Sequence, residues 1–266
     1  MSPSTTQERT YNDIPISAIL HPFSDQPELV ERIAHRRIPA PAIAIVEPDP
    51  AWPSHFKFFK ARIESALAPA SPHSAIAQQK SHERDDATAS SQSQSPITVL
   101  TINHIGSTSI PSLPAKPIID IDLVLSSLTP EHLYVLQLEL AGFRFLLREP
   151  AWHGHRFFVW DAEEPIACNL HVWGPRCPEV ERHVIFRNYL RSEGEEGRRD
   201  REIYRRAKRE AAEWVRGEQG EGEGKRGVAE YNLRKEEVVR GILRRAFASV
   251  GLLDGEEMKE KQHLKT

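Results

Sequence analysis

In the run KPIIDIDLVLSS, residues 116–127, two aspartates alternate with aliphatic residues: Asp120 and Asp122 are flanked by Ile118, Ile119, Ile121, Leu123, Val124 and Leu125. Such a run reads as a β-strand, and residues two apart on a strand leave the same face. The two carboxylates therefore project together, with α-carbons roughly 6.5 to 7 Å apart from a rise of about 3.3 Å per residue. Strands tend to exclude Asp, so the pair is either a wet outer face or a site that uses two acids. The spacing suits two carboxylates sharing one or two hard cations, which take oxygen ligands and bridge to substrate phosphates.

The segment just upstream favours the second reading. ITVLTINHIGSTS, residues 97–109, is expected to be a strand running into a Gly/Ser turn, where Gly106, Ser107, Thr108 and Ser109 offer backbone N–H groups and hydroxyls to phosphates. The turn is not a Walker A loop, because Lys116 lies too far on and is followed by Pro117. A Gly/Ser turn alone means little. Gly-Ser, a short connector and then Asp-x-Asp on a strand is more specific.

The remaining pattern gives an α+β fold, helices packed on a mixed sheet. Residues 1–40 read as an extension, partly disordered, with a short amphipathic stretch at 27–38 (PELVERIAHRRI) that is either a docking helix or no element at all. The domain proper is expected over 41–252. It opens with a short buried strand in IAIVEPDPAWP and a helix in SHFKFFKARIESAL behind a Ser54 cap. A helix from about Pro130 to Ala141 closes on Gly142, and HRFFVWD and IACNLHVWG are two more strands. Three helices follow, over VERHVIFRNYLRS, REIYRRAKREAAEWV and AEYNLRKEEVVRGILRRAFASV. Low-complexity insertions are expected at about 69–96 and 217–227, and a polar tail over 253–266.

The stretch HIGSTSIPSLPAKPIIDIDLVL resembles the hallmark of the GrpB-like family of the nucleotidyltransferase (DNA polymerase β-like) superfamily. EPDPAWPSHF, NLHVW, FRNYLR and the pairs Tyr204 with Lys208 and Tyr231 with Lys235 are similar to that family in the same order. The resemblance implies a nucleotidyltransferase-like mixed β-sheet flanked by helices, with C-terminal helices. It implies a nucleoside triphosphate at Gly106, Ser107, Thr108 and Ser109, and Mg²⁺ or Mn²⁺ on Asp120 and Asp122, with nucleotidyl transfer to an unidentified acceptor. Members that work this way usually carry a third carboxylate on a neighbouring strand. NLHVW supplies His171 there, as a proton acceptor or a ligand of different preference. A non-catalytic nucleotide- or coenzyme-binding accessory module is the alternative, coenzyme A-related because relatives occur fused to dephospho-coenzyme A kinase; a degenerate interaction scaffold is a third.

Among single residues, Arg156 is expected to face the same cleft and bind phosphate, Lys116 to approach a phosphate between its two prolines, and His104 to brace the turn. In the Tyr204–Lys208 and Tyr231–Lys235 pairs, one helical turn apart, the ring is expected to pack beneath a snorkelling lysine. Composition matters here by exclusion. Lys and Arg number 35 against 38 Asp and Glu, so no bulk attraction to nucleic acid or a membrane surface is expected. The two cysteines, Cys168 and Cys177, lack metal or disulfide spacing and are expected to be reduced, in a cytoplasmic protein without a membrane span.

Overall fold

The computed structural model describes residues 8–21, 26–69, 96–217 and 227–253. Eight strands occur among them: β1 (Thr10–Tyr11), β2 (Ile14–Pro15), β3 (Glu31–Arg32), β4 (Val99–Ile105), β5 (Ile118–Leu125), β6 (Phe143–Glu149), β7 (His155–Trp160) and β8 (Ala167–Trp173). The helices are α1 (Ile16–Leu20), α2 (Trp52–Ala66), α3 (Val135–Leu140), α4 (Pro178–Arg191), α5 (Glu195–Gly217) and α6 (Val228–Ser249). Beyond the small β1–β2 ribbon, one six-stranded sheet runs in the order β3-β6-β7-β8-β5-β4. Only the β5–β8 pairing is parallel. The result is the expected α+β architecture, a mixed sheet flanked by helices with three helices at the C-terminal side.

Period-two alternation on the central strands makes two layers. From β5, Ile119, Ile121, Leu123 and Leu125 are fully buried with Leu170, Val172 and Phe158 against Phe59 and Ile63 of α2 and Leu138 of α3. Each such side chain is worth about 1.5–3 kcal/mol when fully removed from water. The opposite face carries Asp120 and Asp122 and receives α4. A second apolar cluster forms behind it, where Ile185 and Leu190 of α4 meet Tyr204 of α5 and Ile242 and Phe247 of α6. α4 starts at Pro178 with Glu179 and Glu181 in its first turn, a proline whose missing N–H costs nothing there and acids that suit the positive helix end.

Several expectations change. The 27–38 stretch is not a helix beyond a single 3₁₀ turn, Pro27–Leu29; it then runs as β3 along β6, with the Ile33 and Ala34 N–H groups on the Leu146 carbonyl. Covering the open edge of β6 satisfies backbone groups that a free helix would leave unpaired. IAIVEPDPAWP makes only the isolated bridge Val46 to Ala115, because Pro48 and Pro50 lack ladder donors. α2 begins at Trp52, and Ser54 lies inside it; Asp49 Oδ1 accepts the Ala51 N–H at 2.7 Å in front of the helix. The strand FRFLLRE (β6) was not expected, since its arginines break the apolar run. Gly142 ends the α3 turn at φ +101°, where a methyl would lie 2.6 Å from the Trp160 ring. Apart from their end residues 69, 96, 217, 227 and 253, the insertions expected at about 69–96 and 217–227 and the tail expected over 253–266 lie outside the described residues. Among the described residues both cysteines are free and buried, and no helix is long and apolar enough to cross a membrane.

Candidate functional site

Antiparallel pairing of β4 and β5 sets Ile105 opposite Asp120 and Asn103 opposite Asp122, so the Gly/Ser turn at the end of β4 reaches the acidic strand. On the other side, β8 places Asn169 beside Asp120 and His171 beside Asp122. The two aspartates share the non-aliphatic face, as their spacing requires. Their surroundings differ completely.

Asp122 is fully buried. Its Oδ1 accepts the Trp173 indole N–H at 2.8 Å, and its Oδ2 takes His183 Nδ1 of α4 at 2.9 Å. Burial alone would push the His183 pKa down, but the charge and hydrogen bond of Asp122 outweigh it and the pKa is raised. Asp122 is thus a buried carboxylate with a half-buried histidine on one oxygen and an indole on the other, satisfied on both oxygens by the protein itself.

Asp120 is half-buried and open. Its Oδ1 accepts Asn169 Nδ2–H at 2.8 Å, and Arg36 donates to Asn169 Oδ1 at 3.2 Å. Oδ2 abuts Gly106, which is exposed at φ +66°, ψ −172°. A methyl at Gly106 would overlap Oδ2 and sit 3.0 Å from both Cβ and Cγ of Asp120. Burial raises the Asp120 pKa, opposed by Asn169, Lys116, Lys235 and His183.

Three lysines surround this carboxylate from three elements. Lys116 and Lys235 lie 4.9 and 5.1 Å from the centre of the Tyr231 ring, and Lys208 lies 5.0 Å from that of Tyr204. Lys208 is 1% exposed and donates to the Pro114 carbonyl at 2.5 Å. All three pKa values are pushed down by burial; Lys235 and Lys116 push Lys208 down further, while Asp120 pulls all three back up. The rings do pack beneath the lysines, yet the side chains turn into the cleft instead of snorkelling to solvent. Arg36 adds a fourth cation near Lys116. None of the three lysines makes an ion pair with a carboxylate within 4 Å among the described residues. Tyr204 also reaches the turn, with its hydroxyl 3.3 Å from Ser107 Oγ.

The other expected residues divide. Thr108 and Ser109 are buried and spend their hydroxyls on the Ile118 and Gly106 carbonyls, so they hold the turn's shape while Gly106 and Ser107 face the cleft. His104 braces the turn through Thr108 Oγ1 at 3.1 Å and stacks on Phe56; burial, Arg191 and Arg187 push its pKa down to about 4. Arg156 stands on the opposite, α3-facing side: it alternates with Phe157 on β7, pairs with Glu131 at 2.8 Å, and does not enter the cleft. His171 lies on the acidic face but bonds neither aspartate. Its Nδ1 meets His155 Nε2 at 3.0 Å, and His155 Nδ1 meets Glu149 at 2.6 Å. Burial pushes both histidines down to about 3, so both are neutral. With Glu149 ionised, the proton order along this chain leaves the lone pair on His171 Nε2.

These donors do not fit a two-metal centre. Asp122 is fully buried with a protein hydrogen bond on each oxygen, Asn169 and His171 stand where a third acid is expected, and Asp120 has lysines around it. Among the described residues no group of three His, Cys, Asp or Glu side chains could hold a metal ion.

Fold and site together define an α+β protein whose sheet brings a Gly/Ser turn against an Asp-x-Asp strand, an arrangement consistent with the nucleotidyltransferase superfamily. The family model described as GrpB protein matches residues 42–245, and the chain belongs to that family. It is 33% identical over 210 residues to the UPF0157 protein BH1888 of Halalkalibacterium halodurans, covering 78% of this chain and 84% of that protein. It is 27% identical over 232 residues to the UPF0157 protein PA4798 of Pseudomonas aeruginosa, covering 84% and 78%. The crystal structure of the conserved protein GrpB from Enterococcus faecalis shares the fold, with TM-score 0.56 at 21% identity over 78% of this chain and 99% of that one.

Sequence reasoning missed His183 and Trp173 as partners of Asp122, and Asn169, itself held by Arg36, as the partner of Asp120. The usable signal was spacing: Asn169, His171 and Trp173 stand two apart in NLHVW and share one face of a strand, and the observed register of β8 on β5 sets that face with the aspartates.

Proposed function

We propose that the protein binds a nucleoside triphosphate, or a nucleotide-bearing coenzyme of similar charge, with its phosphates among Lys116, Lys208, Lys235 and Arg36 and against Gly106 and Ser107. The observation that carries this reading is the charge imbalance: three buried or half-buried lysines act on the one half-buried carboxylate of Asp120, and Arg36 is held beside Lys116 on Asn169. Like charges gathered at low dielectric repel each other, and among the described residues the acids that act on them are only Asp120 at the lysines and Asp161 at Arg36; a polyanionic ligand balances the rest. Lysine is a point-charge phosphate binder and needs no fixed fork geometry. Gly106 lets the turn's backbone come close to Asp120 and to a ligand there.

The same geometry favours a binding function over two-metal nucleotidyl transfer, because Asp122 is committed to His183 and Trp173. Calorimetric titration of ATP, CTP, GTP, UTP and coenzyme A, each with Mg²⁺, with Mn²⁺ and with a chelator, tests it. The expected result is binding that persists with the chelator and weakens at least ~10-fold in Lys235→Met. Binding that requires the metal, or that ignores Lys235→Met, overturns the lysine clamp. Pyrophosphate released on turnover with an acceptor would restore the transferase reading.

A further inference from the structure

A cavity of about 680 Å³ lies on the far side of the Gly/Ser turn, wrapped round the edge strand β4 between the start of α2 and the end of α4. That size is ordinary for a small-molecule site, typically about 300–1,000 Å³. Its cations are Arg187 and Arg191, one helical turn apart on α4, with Lys57 and Lys60 from α2. The two guanidinium groups are fixed by main-chain acceptors. Arg187 Nη1 donates to the His104 carbonyl at 2.9 Å and its Nε to Asn188, while Arg191 donates twice to the Ser109 carbonyl, at 2.8 and 2.6 Å. Neither makes an ion pair with a carboxylate within 4 Å among the described residues, and each retains N–H donors. Holding two arginines side by side on neutral carbonyls is costly without an anion between them.

The facing groups agree. Lys60 is neutralised by Glu64 at 3.7 Å, but Lys57 is exposed and unpaired among the described residues. Asp49, the one acid of the lining, accepts from its own loop at Ala51 N–H, and Asp122 acts on Arg187 only from behind β4. His104 stands neutral in the wall, stacked on Phe56 with ring centres 4.8 Å apart; Trp52 and Ile102 complete an apolar side.

We propose that this cavity is a second anion site, independent of the lysine cleft, for a small phosphate monoester carried on a flat apolar body. The guanidinium forks take the phosphate oxygens, and the Trp52–Phe56 wall takes the ring. The turn then has a ligand on either side: Ser107 faces the lysine cleft, and Ser109 is clamped by Arg191 at the cavity.

The test is calorimetric titration of phenyl phosphate and of inorganic phosphate into the full chain carrying Lys235→Met, which weakens the proposed lysine cleft. It is repeated in that background with Arg187→Gln, Arg191→Gln or Lys57→Gln. Phenyl phosphate is expected to bind the Lys235→Met protein and to lose affinity ~10-fold with either arginine change. Lys57→Gln is expected to cost about threefold without shifting the melting temperature, which covers the case in which the arginine variants unfold. Absence of phenyl phosphate binding to the Lys235→Met protein, or binding indifferent to Lys57 and both arginines, overturns the site. Equal affinity for inorganic phosphate overturns the apolar wall.

Discussion

Replacing Gly106 with alanine tests the geometry of the cleft at its tightest point. The backbone there, φ +66° and ψ −172°, falls in a region that is essentially restricted to glycine. Forcing a side chain into it costs on the order of 1–3 kcal/mol. The added methyl also overlaps Asp120 Oδ2, and Asp120 can move only by stretching the 2.8 Å bond from Asn169. A hydrogen bond to a charged group is worth about 1.5–3 kcal/mol. Together the substitution should cost ~3–5 kcal/mol, a fall in melting temperature of about 6–20 °C for a domain of this size. Gly251→Ala is the control: φ there is +74°, but nothing lies within 4 Å of the added methyl, so it reports backbone strain alone. The assay is thermal unfolding of wild type and both variants by circular dichroism. If Gly106→Ala melts no lower than Gly251→Ala, the turn relaxes freely and the claimed contact between Gly106 and Asp120 is wrong.

Asp122→Asn should destabilise the fold by about 1–3 kcal/mol in urea unfolding, since it takes the counter-charge from the half-buried His183 and disturbs the hydrogen bonds of a fully buried side chain; the Asp122→Asn, His183→Gln double variant should recover part of that, and simple additivity would contradict the pair. Acid should unfold the protein through its neutral histidines. The folded pKa values of His104, His155 and His171 are about 4, 3 and 3, so each contributes stability that is complete above the unfolded value of 6.5 and is lost as pH falls below it. At pH 5 that loss is roughly 2 kcal/mol per histidine, from about 1.4 kcal/mol per pH unit. His183, with its raised pKa, has the opposite sign: its contribution is present below 6.5 and fades as pH rises through the folded value, and the raised carboxyls Asp120 and Glu149 also favour lower pH. Urea midpoints from pH 8 to 5 should fall with net proton uptake on unfolding, and a flat profile would refute the neutral histidines. Arg156→Met should leave nucleotide affinity within about twofold while costing stability through Glu131, because the side chain lies across the sheet from the cleft; a large affinity loss would contradict that placement.

Local pattern was a good guide wherever one segment decides its own structure. The alternation in IIDIDLVL gave β5 and its two faces, and the long amphipathic runs gave α4, α5 and α6. It failed where structure depends on a partner. Residues 27–38 have a helical apolar spacing, but β6 offers an open edge and the chain takes strand pairing there instead. β6 itself went unseen because Arg144 and Arg148 interrupt its apolar residues, and what those arginines answer is distant: the His35 carbonyl and Glu131. Arg156 was assigned to the cleft without a register, and a single residue's shift along a strand moves a side chain to the opposite face.

The aspartate pair shows where such reading stops. Spacing correctly predicts that Asp120 and Asp122 leave one face, and nothing in the spacing distinguishes them. What does so arrives 51 and 61 residues later in the chain, as Trp173 and His183 close on Asp122. The lysines reach Asp120 from α5 and α6, farther still. One acid thereby becomes part of the core and the other a half-buried negative charge among lysines, so one two-residue motif separates a structural carboxylate from an accessible one. In a chain of this family with an acid in place of Asn169 or His171 and without a histidine at the position of His183, the two-metal reading would regain its ligands. Exchanging these residues here, Asn169→Asp with His183→Leu, is therefore the change expected to raise Mn²⁺ affinity measured by calorimetry, and an unaltered affinity would show that these two positions do not set it.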